Sequence, residues 1–464
     1  MRRALCLACV IAVGGCAMVG PDYKRPASTL PATFGETATT TGSLVVPEEW
    51  WKLYNDPLLN DLVASGLQNN VEVSIATARV EEAQAALREA RAVLFFPEVD
   101  LNASAFRGRT STTNFVTANG FGVGLSTSFE VDVWGRLRRA ERSVQDELLA
   151  SQYGRDTVGI TLVATIARTY FAVRSLDAQL IASRQTLSAA NESYNLAKKR
   201  ADAGVAPELD VYQAGGLATA AAAQTTELER QRAAEIHQLA VLTGKLDLTV
   251  GAGTIDTLPI PPITPPGLPS ELLERRPDVR QAEAELQAAT ERIGVAKAGQ
   301  FPSLSLTGTF GSASGELENL FTTPARTWSI GAGLVGPLLD GGRHKARTEQ
   351  AEAQAKQVEG AYIRTVQNAF RDVNDALSNV TRAAQAEVDL KTHVDQAAKA
   401  FHLASIRYES GYSAYLEVLD AQRTLNDAQL LLIRNRQNYL SYTVDLMNSL
   451  GGGWKPDAQH AAAN

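Results

Sequence analysis

The sequence predicts an α+β membrane protein made of two copies of one unit, each copy pairing long helices with two short strands. Three observations carry this prediction: a phrase written twice, two long proline-free stretches, and four segments of alternating polarity. The phrase is RADAGVAPELDVYQAG from Arg200 and RYESGYSAYLEVLDAQ from Arg407, with Arg, Gly, Leu, an acid, Val and Ala at matched spacing. Gly204 and Gly411 lie 207 residues apart, as do Leu209 and Leu416. Phe96-Pro97 is matched by Phe301-Pro302 at an offset of 205, and Gly135-Arg136 by Gly342-Arg343 at 207. A period this long marks a duplicated domain rather than a solenoid.

The elements follow in order. Residues 1–15 read as a signal peptide: Arg2 and Arg3 lead an apolar stretch too short to span a bilayer, ending in small residues. An extension, 16–54, precedes the first repeat at 55–250. LPIPPITPPGLP, from Leu258, carries six prolines in twelve residues and reads as an extended linker, placed at 251–267. The second repeat spans 268–454 and a tail 455–464. Each repeat opens with Ala-, Glu- and Arg-rich helix formers, 72–94 and 278–298, that stop at the Phe-Pro breaker.

Alternation follows. Val99, Leu101, Ala103 and Ala105 share one face and Asp100, Asn102 and Ser104 the other; Phe121, Val123, Leu125, Thr127 and Phe129 repeat the pattern. The second copy does so with Leu304, Leu306 and Phe310, then Trp328, Ile330, Ala332 and Leu334. Strands are expected at 98–108, 120–131, 303–311 and 327–337, joined by polar loops. Beyond them proline is absent from 98–206 and 338–455. Val358, Tyr362, Val366, Ala369, Val373, Ala376 and Val380 mark one helical stripe. Helices over about 136–203 and 343–410 would each run about 100 Å at 1.5 Å per residue.

Neither feature closes on itself. Long helix hairpins leave an apolar stripe uncovered, and four strands cannot form a barrel. Oligomerisation meets both needs. Ten-residue strands suit an outer-membrane barrel. Three copies would supply twelve strands and two only eight, a narrow barrel filled by its own side chains.

Taken together, the Val13-Gly14-Gly15-Cys16 segment, MVGPDYKRP, WWKLYNDPLLNDLV, EVDVWGRLRRA, RRPDVRQAEAELQAA, LLDGGR and YLEVLDAQRTLNDAQ resemble the outer-membrane factor family. These are TolC-like channels of tripartite efflux pumps, here in the NodT-type lipoprotein branch. The resemblance covers nearly all of the mature chain. It implies cleavage before Cys16 and acylation of that residue, with Ala17 after it directing the chain to the outer membrane. It further implies a homotrimer with a twelve-stranded β-barrel continued by a helical coiled-coil barrel through the periplasm. Expected partners are outer-membrane lipid, a periplasmic adaptor and an inner-membrane RND-type pump. Two other readings stay open: the exit channel of a type I protein secretion system, and a periplasmic coiled-coil scaffold without a pore.

Other chemistry finds little support. With 44 Lys and Arg against 51 Asp and Glu, and no long run of one sign, nucleic acid is not an expected partner. Cys6 and Cys9 form a CxxC inside the apolar leader, so a redox role is not expected. Gly331, Gly333 and Gly336 satisfy GxGxxG, yet fall along an alternating strand rather than between a strand and a helix. No Walker A, HExxH or GxSxG sequence occurs, and the five His and three Met are scattered. Neither enzyme activity, a cofactor nor a metal site is expected.

The doubled phrase marks helix ends. Gly204 and Gly411 permit the positive φ that stops a helix, and the acids Asp210, Glu417 and Asp420 would face the dipole of the returning helix. Only the second copy carries the extra acid. Glu417 and Asp420 are three apart, hence on one face, with no basic residue beside them until Arg423. The resemblance implies that these two acids line a periplasmic gate, with Tyr408 and Asp210 in its network. A threefold ring of them would select cations and bind divalent ions. Ser413 departs from the family pattern, which has there an Arg that helps hold the gate shut. Gly204, Val205, Gly411 and Tyr412 are expected to meet the adaptor.

Overall fold

A computed structural model describes residues 18–27, 30–31, 33–35, 46–110, 116–262 and 272–454. Cys16 and the leader lie outside the described residues, as does the linker beyond residue 262. The helices are α1 (Pro57–Asn69), α2 (Val71–Phe95), α3 (Arg136–Asp202), α4 (Glu208–Thr243), α5 (Pro277–Ala298), α6 (Arg343–Glu409) and α7 (Tyr415–Ser449). The strands are β1 (Glu98–Thr110), β2 (Val116–Val131), β3 (Ser303–Ser314) and β4 (Arg326–Val335). The chain divides into two compact units, one of residues 1–27, 78–153 and 280–364, the other of 28–77, 154–279 and 365–464.

The first unit holds one antiparallel sheet in the order β1-β2-β3-β4. Leu101, Leu125, Phe310 and Trp328 stand opposite one another across all four strands. All four are exposed, so this face is a continuous apolar band. Asp100, Ser126, Thr309 and Ser329 form the neighbouring row on the other face. There Asn102 Nδ2 donates to Ser126 Oγ at 2.7 Å, and the Thr309 and Ser329 hydroxyls lie 2.7 Å apart. One apolar and one small polar face on a sheet without a covering layer is the pattern of a barrel wall between lipid and a wet lumen. Gly331 and Gly333 lie in β4, in an antiparallel hairpin rather than a βαβ unit.

The first hairpin is longer than alternation predicts. Much of the stretch 107–120, expected as a polar loop, is strand, with Phe106 opposite Gly120 and the register continuing to Thr110 opposite Val116. The Phe106 ring lies over Gly120, where an added Cβ would come within 2.2 Å of it. The aromatic face thus covers the weak strand residue and carries pairing outward. β4, in contrast, stops at Val335, because Pro337 supplies no donor to a ladder.

Below the strands, Val19–Arg25 straps the unit. Val19 N donates to the Trp134 carbonyl at 3.0 Å, and Gly20 crosses α5 at Gly294, so closely that a Cβ on Gly20 would meet the Gly294 Cα at 2.5 Å. Arg139 of α3 is fully buried. Its guanidinium donates to both Glu291 carboxylate oxygens at 3.0 and 2.9 Å and to Asp22 Oδ1 at 2.9 Å. Glu283 of α5 receives Tyr23 Oη at 3.0 Å, and Arg25 through Nε at 2.6 Å and a terminal nitrogen at 2.9 Å. Breaking one partner of a buried pair of this kind costs about 3–5 kcal/mol. The MVGPDYKRP motif is therefore a structural strap as well as a family marker.

The second unit has its own core. The 3-10 turn Trp50–Tyr54 and α1 seat Trp50, Tyr54, Leu59, Leu62 and Val63 against Ile166, Tyr170, Phe171, Leu239, Leu440 and Val444. Asp56 caps α1, accepting from the backbone N–H groups of Leu58 and Leu59 at 2.9 and 3.2 Å. The same carboxylate accepts from the Tyr170 hydroxyl, which in turn accepts from Arg174 Nε at 2.8 Å. WWKLYNDPLLNDLV thus places a turn, a cap and an apolar stripe in fourteen residues.

One buried acid near the strap is poised to titrate. Burial, and next the neighbouring Glu291 charge, push the Asp146 carboxyl up to about 7. An acid raised in the fold binds its proton more tightly when folded, so stability falls as pH rises from about 4 toward 7. Asp146→Asn is expected to raise the thermal midpoint, followed by circular dichroism in detergent, above pH 7 and to leave it nearly unchanged at pH 4.

Candidate functional site: the paired helix turns

Both copies of the doubled phrase form the same turn. Val205 N donates to the Arg200 carbonyl at 2.9 Å and Gly204 N to Ala201 at 2.9 Å; Tyr412 N donates to Arg407 at 2.8 Å and Gly411 N to Tyr408 at 3.0 Å. This nested pair of bonds is a Schellman motif, and the glycine in each stands at positive φ, 73° for Gly204 and 81° for Gly411. Open space surrounds both glycines, so it is the backbone conformation rather than crowding that requires them. The chain then re-enters helix at Glu208 and at Tyr415.

Between the turns the two copies interlock. The Arg200 guanidinium lies 4.7 Å from the centre of the Tyr408 ring and donates to the Tyr408 carbonyl at 2.7 Å. Tyr408 packs edge-on against Tyr415 at 5.4 Å, and its hydroxyl donates to Asp210 Oδ2 at 3.4 Å. Tyr408, Tyr415 and Asp210 are all buried, among Ala197, Ala214, Leu217, Val418 and Leu419. Burial first, then the Asp210 charge, raises the Tyr408 phenol above its usual range. Arg200 offers a charge-assisted bond and a cation–π contact together, about 1–3 kcal/mol between them.

The two acids of the second copy stand apart from this knot. Glu417 and Asp420 are exposed. Glu417 has a nearby base after all: Arg407, across the turn, brings its Nε to 3.4 Å of the carboxylate. Sequence spacing hides this pairing, because the partner lies on the preceding helix. Asp420 is the sixth residue of α7, past the first turn that holds Glu417, so the dipole reading reaches Asp210 and Glu417 but not Asp420. Among the described residues no base pairs with Asp420. The Ser413 hydroxyl is buried without a hydrogen-bond partner.

Val205 and Tyr412, at the turns, are exposed, and so are Leu209, Tyr212 and Leu416 on the returning helices. The expected tip residues therefore belong to a larger apolar surface. Sequence reasoning used Arg200 and Arg407 only as markers of the repeat, yet each holds its turn to the other copy or to the returning helix. Their recurrence 207 residues apart was the available signal. Among the described residues, no cluster of His, Cys, Asp and Glu could hold a metal, and no helix is long and apolar enough to cross a membrane.

Comparison with known proteins agrees with this geometry. The chain matches the outer membrane efflux protein family over residues 62–245 and 268–452, one segment in each copy of the repeat. It is 33% identical to the solvent efflux pump outer membrane protein SrpC of Pseudomonas putida, over 97% of this chain and 98% of that protein. It is 34% identical to the pyoverdine export outer membrane protein OpmQ of Pseudomonas aeruginosa, over 89% of each. The solved outer-membrane channel OprN superposes with a TM-score of 0.88 at 31% identity, over 94% of this chain and all of that one. The open state of the Neisseria gonorrhoeae MtrE channel does so at 0.84 and 29%, over 96% and 100%. This chain therefore belongs to the outer membrane efflux protein family and is an outer-membrane exit duct whose channel extends into the periplasm.

Proposed function

We propose that three copies of the chain close into a twelve-stranded barrel and a helical tunnel. The assembly is lipid-anchored at Cys16 and exports small molecules passively for a tripartite system driven by an RND-type pump. The observation that carries this reading is the four-stranded sheet with one apolar face, one small polar face and an open edge on each side. A scaffold without a pore has no use for such a wall. Relatives bear the names of solvent, toluene and pyoverdine export, which supports a small-molecule cargo for this chain over a protein one. Export itself needs no chemistry from the chain, so energy and substrate selection fall to the pump.

The gate lies at the paired turns. Glu417 and Asp420 would form a ring of carboxylates that favours cations and is neutralised by divalent ions. Arg200, gripping the ring and carbonyl of Tyr408, takes the closing role that the family pattern gives to an Arg at the position of Ser413. Asp210 holds Tyr408 from the other side. The adaptor would seat on the exposed surface around Gly204, Val205, Gly411 and Tyr412, where docking can pull the two turns apart.

Two measurements test this reading. In planar bilayers the native protein is expected to give small, cation-selective currents blocked by divalent ions, and the Glu417→Ala, Asp420→Ala double variant larger currents with weaker block. Identical currents from the two proteins would remove the acids from the gate, and absence of any channel from well-folded protein would remove the duct. Arg200→Ala is expected to shift the closed-to-open ratio roughly 5- to 150-fold toward open, the equivalent of about 1–3 kcal/mol. Tyr408→Phe loses only one long hydrogen bond, and its effect on open probability should stay under about fivefold.

A further inference from the structure

The internal repeat fixes more than the element order. β1 maps onto β3 at the 205-residue offset of the Phe-Pro breakers, and β2 onto β4 at the 207-residue offset of the Gly-Arg pairs. Applied to the first hairpin, these offsets turn Asp100 opposite Ser126 into Ser305 opposite Gly333, which is the observed register of the second hairpin. The backbone obeys the sequence repeat to the residue. The remaining junction, β2 with β3, joins the end of one hairpin to the start of the next, with Ser126 opposite Thr309. The same offsets carry that pair to Gly333 and Ser104. Within one chain Gly333 and Ser104 lie on opposite outer strands, β4 and β1, and neither strand has a neighbour on its outer side.

We propose that β4 of one copy pairs with β1 of a second copy in this register, Gly333 opposite Ser104 and Ala332 opposite Ala105. The inference rests on the barrel-closing reading above and adds to it the seam itself. The faces agree: Ala332 and Leu334 meet Ala105 and Ala103 on the apolar side, while Gly331 and Gly333 meet Phe106 and Ser104 on the polar side. Gly331 leaves room beside Phe106, as Gly120 does on the other flank of β1. A slip of one residue would turn every apolar side chain of one strand toward the lumen. The end of the seam agrees as well. Inside the chain, Trp134 stacks on Phe301 at 4.7 Å and donates through Nε1 to the Pro302 carbonyl at 2.7 Å. The corresponding corner of the second copy is Phe96-Pro97, and opposite it Gly341 stands where Trp134 would be. Phe95 and Phe96 are exposed, and Leu338 and Leu339 are almost wholly so, at 101% and 96%. These leucines supply the apolar cover that the missing tryptophan would have given.

Cysteine cross-linking reads the register directly, since the three native cysteines all fall within the first sixteen residues. Ser104→Cys would be combined in turn with Gly333→Cys, Gly331→Cys or Val335→Cys, with single variants as baselines, and treated with a short bis-methanethiosulfonate. All four positions fall on the lumen side. The Gly333 pair is expected to form covalent dimers and trimers at least about tenfold faster than either shifted pair, because directly opposed Cβ atoms are about 5 Å apart and diagonal ones about 7–8 Å. Faster linking of a shifted pair would overturn the register, and so would a conducting protein in which no pair links. Single-channel recording on the same preparations separates the two claims. A working pore with the wrong pattern removes the seam and keeps the duct, whereas neither pore nor cross-link removes both. If the glycine variants fail to assemble, Ala105→Cys with Ala332→Cys tests the same register on the apolar face.

Discussion

Backbone hydrogen bonding inside a bilayer constrains everything else in this molecule. Hydrocarbon offers no partner to a free N–H or C=O, so a membrane sheet must end in another strand on each side. One chain supplies β1 to β4 and therefore two unsatisfied edges. Every residue choice in the sheet is compatible with closing those edges against another copy: small residues on the lumen face, apolar ones on the lipid face, and glycine where two backbones approach. Gly124 and Gly311 stand opposite each other, and a Cβ on Gly311 would fall 2.4 Å from the Val123 carbonyl.

Duplication solves a second problem, that of making many similar contacts with one sequence. The two copies use one turn design, with the same hydrogen bonds and the same positive-φ glycine, but they have diverged in the side chains around it. Arg200 reaches across to Tyr408, whereas its counterpart Arg407 pairs with Glu417 on the helix that follows. Asp210 is buried against a tyrosine, whereas its counterpart Glu417 faces solvent. A symmetric frame with asymmetric linings allows one copy to hold the turns together while the other presents charge.

Around this frame, burial of polar groups is matched by partners where rigidity is needed. Arg139 with Glu291 and Asp22, and Asp56 with Tyr170 and Arg174, each tie segments far apart in sequence. Buried ion pairs add little net stability over apolar packing, but they penalise every arrangement that leaves one member alone. Near the turns the Ser413 hydroxyl and both side-chain polar atoms of Gln422 are buried without partners. Each such group costs about 1–3 kcal/mol. The rigid parts of the chain are fully paired, and the part read as a gate is not.

The sequence by itself determined the duplication, the four strands and their faces, the long helices and the glycine turns, because each depends on local periodicity or on a backbone conformation that one residue type permits. It also pointed to Tyr408, Asp210, Glu417 and Asp420 through the doubled phrase and its family resemblance. Tertiary structure alone decided which of these meet. Arg200 on Tyr408, Arg407 on Glu417, the strap from Val19 to Arg25 and the extension of the first hairpin through Thr110 all join residues distant in sequence or on different helices. Periodicity describes one helix or strand at a time, and it carries no information about which face of another element will be laid against it.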